Sequence, residues 1–115
     1  MRILVDGDAT PQREDIANIA KKYHVEMIVY MDYAHLVNSD MYTIKQCSVG
    51  SDNVDMMIMN DVKENDLVIT QDYGLASLVL TKKAKVLHVN GSIIDENNID
   101  TFLQCYSSFH LFHYK

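Results

Sequence analysis

The chain has 115 residues, 48% hydrophobic and 23% charged, which suits one globular domain with a real core and excludes a disordered or fibrous class. Ten Lys+Arg against sixteen Asp+Glu leave a formal charge of −6, which argues against gripping nucleic acid by bulk electrostatics. A polyanionic substrate would need a cation to bridge it. The opening MRILVDGDAT carries only a short apolar run before its first acid, so neither a signal peptide nor a membrane span is expected, and a cytoplasmic location is. Cys47 and Cys105 lack the spacing of a zinc or redox centre and read as reduced structural thiols.

In chain order, residues 2–5 read as a buried strand. Thr10 then Pro11 predicts a helix start, with a hydroxyl N-cap, proline at the first helical position and Glu14 and Asp15 in the first turn. That helix runs to about residue 23, with Ile16, Ile19 and Ala20 on its apolar face and Lys21 and Lys22 complementing its negative end. Segments 25–31 (VEMIVYM) and 41–47 (MYTIKQC) predict strands. Ser51 can cap a second helix over 52–62, whose Val54, Met57, Ile58 and Val62 recur at helical spacing. Strand 66–71 (DLVITQ), helix 73–83, strand 85–89 (KVLHV) and, after Asn90-Gly91, a last helix around 97–107 complete the reading. Strands alternating with helices imply a mostly parallel sheet covered on both faces, a three-layer α/β/α domain. No repeat or linker divides residues 1–115.

In such sheets ligands bind beyond the carboxyl ends of the strands. Asp6 and Asp8 follow the first strand, Asp72 follows DLVIT, and Asp52 and Asp55 open the helix after MYTIKQC, so all five acids are expected on one rim. Each alone has a plainer role. Asp8 suits a turn, Asp52 a helix dipole and Asp72 an N-cap. Together they would repel without a counter-ion, and carboxylates are the ligands that Mg²⁺ or Mn²⁺ prefers. Gly7, Thr10, Ser51, Thr70 and Gln71 adjoin these acids and are the candidates for contacting substrate.

The blocks VDGDATP (5–11), VGSDNVDMMIM (49–59), DLVITQDYGLASLVL (66–80) and NGSIIDENNI (90–99) resemble, in that order, the YaiI/YqxD family of bacterial proteins, which looks like an outlying branch of the PIN-like nuclease superfamily. The resemblance implies a PIN-like fold, a divalent metal held by Asp6, Asp55 and Asp72, further acids at Asp8 and Asp52, and hydrolysis of RNA phosphodiesters. Two departures stand out. Thr10 occupies a position where the family usually has cysteine, and 104–115 (QCYSSFHLFHYK) is aromatic where members usually continue into a basic segment.

Three functions remain open on the residues. The first is metal-dependent phosphodiester hydrolysis, with RNA reached through metal-bridged phosphate; Asp6, Asp8, Asp55 and Asp72 are its catalytic set, and Asp6, Asp52, Asp55 and Asp72 its metal set. The second is phosphatase chemistry on the DxDxT loop Asp6-Gly7-Asp8-Ala9-Thr10, with Asp6 as nucleophile and Asp8 protonating the leaving group. The third is a non-catalytic metal- or RNA-binding module.

Overall fold

A computed structural model of the chain describes residues 1–32, 41–47 and 52–101. The elements are β1 (Arg2–Asp6), a 3-10 turn (Gly7–Ala9), α1 (Arg13–Lys22), β2 (Glu26–Asp32), β3 (Thr43–Cys47), α2 (Asp52–Asp61), β4 (Leu67–Thr70), α3 (Tyr73–Thr81), β5 (Lys85–His88) and β6 (Ile93–Ile94). They build one six-stranded sheet in the order β3-β2-β1-β4-β5-β6. Every pairing is parallel except the antiparallel β5–β6 edge.

Because successive strand residues point to opposite faces, the unbroken apolar runs feed two cores at once. Leu4, Ile28, Tyr30, Val68 and Val86 point to one face, where Val54, Ile58 and Val62 of α2 and its flank and Leu75, Ala76 and Val79 of α3 cover them. Ile3, Val5, Met27, Val29, Met31 and Ile69 point to the other, covered by Ala17 and Ala20 of α1. The result is the three-layer α/β/α arrangement expected. No helix among the described residues is long and apolar enough to cross a membrane.

The departures have local causes. Thr10 does not cap α1: its hydroxyl donates to the Asp6 carbonyl at 2.8 Å, which closes the 3-10 turn, and α1 starts three residues later with Gln12 at its N-cap. Ala17 and Ala20 are the buried positions of α1, Ile16 packs beside them, and Ile19 is 58% exposed, off the apolar face assigned to it. Helix α3 stops at Thr81 because Lys83 adopts a positive φ of 61°, the left-handed conformation that ends helices. Strand β6 was not expected. Asn90-Gly91, with Gly91 at φ 96°, is a hairpin turn that brings Ile94 opposite Val86. Residues 99–101 are helical, and the rest of the last predicted helix lies outside the described residues.

A polar network fastens the layers. Arg2 Nη2 donates to Asp66 Oδ2 and to the Asp61 carbonyl, both at 2.7 Å, and the backbone N–H groups of Arg2 and Lys63 also donate to the buried Asp66 carboxylate. Asp61 Oδ2 accepts from the Tyr30 hydroxyl at 2.7 Å and from Lys45 at 2.8 Å. The end of α2 is thereby tied to β1, β2 and β3. Burial alone would raise Asp66 and Asp61, but the bonds from Arg2 to the one and from Lys45 and Tyr30 to the other hold both carboxyls below their ordinary value. Burial and the neighbouring Asp61 push the Tyr30 phenol up.

Depressed carboxyls stabilise the fold fully above the unfolded-chain value and lose that contribution as pH falls through their lower folded values. Urea unfolding should therefore show the contribution of Asp61 and Asp66 intact at neutral pH and declining below the ordinary 3.8. Arg2→Met, which strands the Asp66 charge, should cost about 3 kcal/mol by the same measurement. Lys83→Gly relieves the left-handed strain of a side chain and should stabilise by about 1 kcal/mol.

Candidate functional site

Strand β1 leads through α1 to β2 on one side of it, while its other neighbour, β4, leads through α3 to β5 on the far side. The chain therefore changes direction between β1 and β4, and the carboxyl ends of these two strands frame the crevice where open α/β sheets bind ligands. Asp6 ends β1 and Thr70 ends β4. By strand alternation both point to the face of Leu4 and Val68, the side on which α2 and α3 begin.

Thr70 is the joint of this crevice. Fully buried, its hydroxyl donates to Asp6 Oδ2 at 3.3 Å and accepts the Asp72 backbone N–H at 3.1 Å. Asp72 is the N-cap of α3, accepting the Leu75 N–H on Oδ1 at 3.1 Å, which holds its carboxylate at the helix start. Gly74 leaves it room: a Cβ there would stand 3.1 Å from Asp72 Oδ1. Gln71 Nε2 donates 2.7 Å to the Ala9 carbonyl, lashing the loop after β4 to the turn that carries the exposed Asp8. Gly7 is required by packing, since a Cβ would come within 2.6 Å of Val29 and 2.7 Å of Met31. Buried Thr10 spends its hydroxyl on the Asp6 carbonyl. Arg13 Nη1 donates to the carbonyls of Gly7 at 2.7 Å and Thr10 at 3.2 Å, which sets a cation against the acid-bearing turn.

The cost of this arrangement falls on Asp6. Burial raises its carboxyl above the ordinary value, the Thr70 hydrogen bond opposes this, and the charges of Asp8 and Asp72 raise it again. The charges of Asp8 and Asp72 thus act on Asp6 across the crevice. Asp55, half-buried on the first turns of α2, lines with Asp72 a cavity of about 420 Å³ between α2 and α3. Ser51 and the side chain of Asp52 lie outside the described residues.

Among the described residues no three His, Cys, Asp or Glu side chains stand together as a ready metal cage. The donor chemistry nevertheless suits a hard dication: every acid at the crevice offers oxygen, and Mg²⁺ needs only one or two carboxylates beside its waters. Asp6, on which the charges of Asp72 and Asp8 act, would be the residue to hold one, with Asp72 or Asp8 beside it.

The fold and crevice together define a three-layer α/β protein with an acidic rim at its switch point. The chain belongs to the YaiI/YqxD family, whose model, described as "Uncharacterized BCR, YaiI/YqxD family", matches residues 4–108. A UPF0178 protein of Natranaerobius thermophilus is 45% identical over 103 residues, covering 90% of this chain and 70% of the relative. Those of Clostridium tetani and Clostridium kluyveri are 48% and 44% identical over the same share of this chain and 70% and 68% of their own lengths. No solved structure gives a significant match.

Sequence reasoning missed Arg13 and Gly74, and it had Thr70 only as a neighbour of Asp72. Arg13 is three residues from the N-cap candidate Thr10 and looks like a solvated side chain until the turn before it closes. A raised carboxyl destabilises the fold once ionised: the penalty is absent below the unfolded value of 3.8 and complete above the higher folded value. Asp6→Asn should therefore raise the melting temperature by a few degrees at neutral pH, with the gain shrinking toward zero as pH approaches 3.8.

Proposed function

We propose that the chain hydrolyses phosphodiester bonds of RNA with the help of Mg²⁺ or Mn²⁺ at the crevice between β1 and β4. The observation that carries this reading is the half-buried Asp6, whose charge is disfavoured by its surroundings and by Asp8 and Asp72. A site that gathers negative charge at the ligand-binding edge of the sheet would be relieved by a bound dication. Asp6 and Asp72 would hold the ion, with Asp8, Asp55 and Asp52 the further acids of the rim. When bound, such an ion neutralises phosphate charge and lowers the pKa of a coordinated water.

The chain's own residues supply orientation. Thr70 fixes Asp6 and the start of α3 relative to each other, so the two carboxylates keep one spacing. Gln71 prevents the Asp8 turn from swinging away. Asp8, exposed on that turn, would complete the shell of the ion or orient the attacking water. The net charge of −6 makes the cation the means by which a polyanion approaches.

Purified protein should cleave single-stranded RNA in Mn²⁺, and Asp6→Asn and Asp72→Asn should each lose about a hundredfold or more of that rate. Equal cleavage by all three proteins would sink the reading. A binding-only role is the second possibility, favoured by the poor supply of basic residues, ten Lys+Arg against sixteen Asp+Glu. It predicts Mn²⁺ uptake in calorimetry without turnover.

A further inference from the structure

We infer that the cleft between α2 and α3 is a nucleobase subsite, opening from the acidic crevice and running down between the two helices. The inference rests on the phosphodiester reading above. Both helices follow parallel strands and so start at the same edge of the sheet, where Asp55 and Asp72 stand at the mouth of the cavity of about 420 Å³. Its walls are Met56, Met59 and Leu78, and Asn60 lies toward the far end. Met56 is 61% exposed and Leu78 53%, large apolar side chains that a ligand would cover to advantage.

A volume of this size, mostly apolar and carrying a few polar groups, is the usual build of a small-ligand site. A nucleobase fits that chemistry. It is flat, uncharged and apolar on its faces, so thioether and leucine walls accept it, and its edge offers partners for an amide such as Asn60. The carboxylates at the mouth would repel a bare phosphate, which keeps the phosphate at the cation-bearing crevice and admits only the base. Asp72 belongs to both places: its charge acts on Asp6, and it lines the cleft. A strand whose phosphate sits at Asp6 and Asp72 therefore leads its neighbouring base into the cleft.

The test uses the full chain labelled with ¹³C at the methionine methyl groups, with Met56 and Met59 assigned through Met56→Leu and Met59→Leu. Adenosine 5′-monophosphate with Mg²⁺ should shift both resonances, while ribose 5-phosphate with Mg²⁺, which lacks the base, should leave them in place. Leu78→Asn, which removes the apolar wall without adding charge, should weaken the nucleotide about threefold or more while Mn²⁺ affinity in calorimetry stays in place. Equal shifts with ribose 5-phosphate, or no shift with the nucleotide while Mn²⁺ still binds, would overturn the subsite. If Mn²⁺ does not bind the wild type, the phosphodiester reading fails by itself. The nucleotide titration without metal then decides the subsite, shifts at Met56 and Met59 supporting it and silence overturning it. A Met56 resonance that moves with protein concentration alone, together with a dimer in sedimentation, would make the cleft a contact between copies and overturn the proposal.

Discussion

Parallel pairing of β1 with β2 on one side and β4 on the other is the constraint from which the rest follows. Leu4 and Val5 are wholly excluded from solvent, so β1 has no free face and no free edge. A strand held on all sides can put charges only at its two ends, Arg2 at one and Asp6 at the other. Asp6 occupies the carboxyl end, and since β4 runs in register beside it, the loop after Thr70 emerges next to the same carboxylate. The meeting of acids from remote parts of the chain is thus a consequence of strand direction and order.

The two ends of the sheet are treated oppositely. At the amino end, Arg2 neutralises Asp66, and Asp61 at the end of α2 is met by Lys45 and Tyr30 reaching from β3 and β2, so several donors surround each carboxylate. At the carboxyl end, Asp6 has one weak side-chain donor and two like charges for neighbours. A buried ion pair is poor evidence of net stability, but stripping one partner from it is costly, so the lower network locks α2 in place. Strain concentrated at one edge and compensation at the other is the pattern expected where a fold supports a binding site.

The layered architecture was legible because it rests on local signals. Continuous apolar runs marked the strands, and Val54, Ile58 and Val62 marked the buried stripe of α2. The rim of acids followed from the same reading plus the rule for open sheets. What escaped depends on contacts between distant residues. Nothing in the sequence says that Asp66, sixty-four positions away, meets Arg2, because the partners become neighbours only when β1 and β4 pair. The Thr10-Pro11 pair carried a sound helix-start signal, and it lost to a competing hydrogen bond: the hydroxyl reached back to the Asp6 carbonyl. Strand β6 was hidden by its brevity, two residues after an Asn-Gly turn. The carboxylate trio Asp6, Asp8 and Asp72 was visible in outline, whereas the use of Gly74 to make space for Asp72 requires a measured distance.

The hairpin that adds β6 also changes what the sheet offers at its edge. A parallel sheet ending at β5 would present a row of unsatisfied backbone groups to any neighbouring molecule. Ile93 and Ile94 cover part of that row, and the antiparallel stub is too short to template another strand. Growth of the sheet from one molecule into the next is discouraged along this flank, so crowding in a concentrated solution has less means of converting the folded chain into fibrils there.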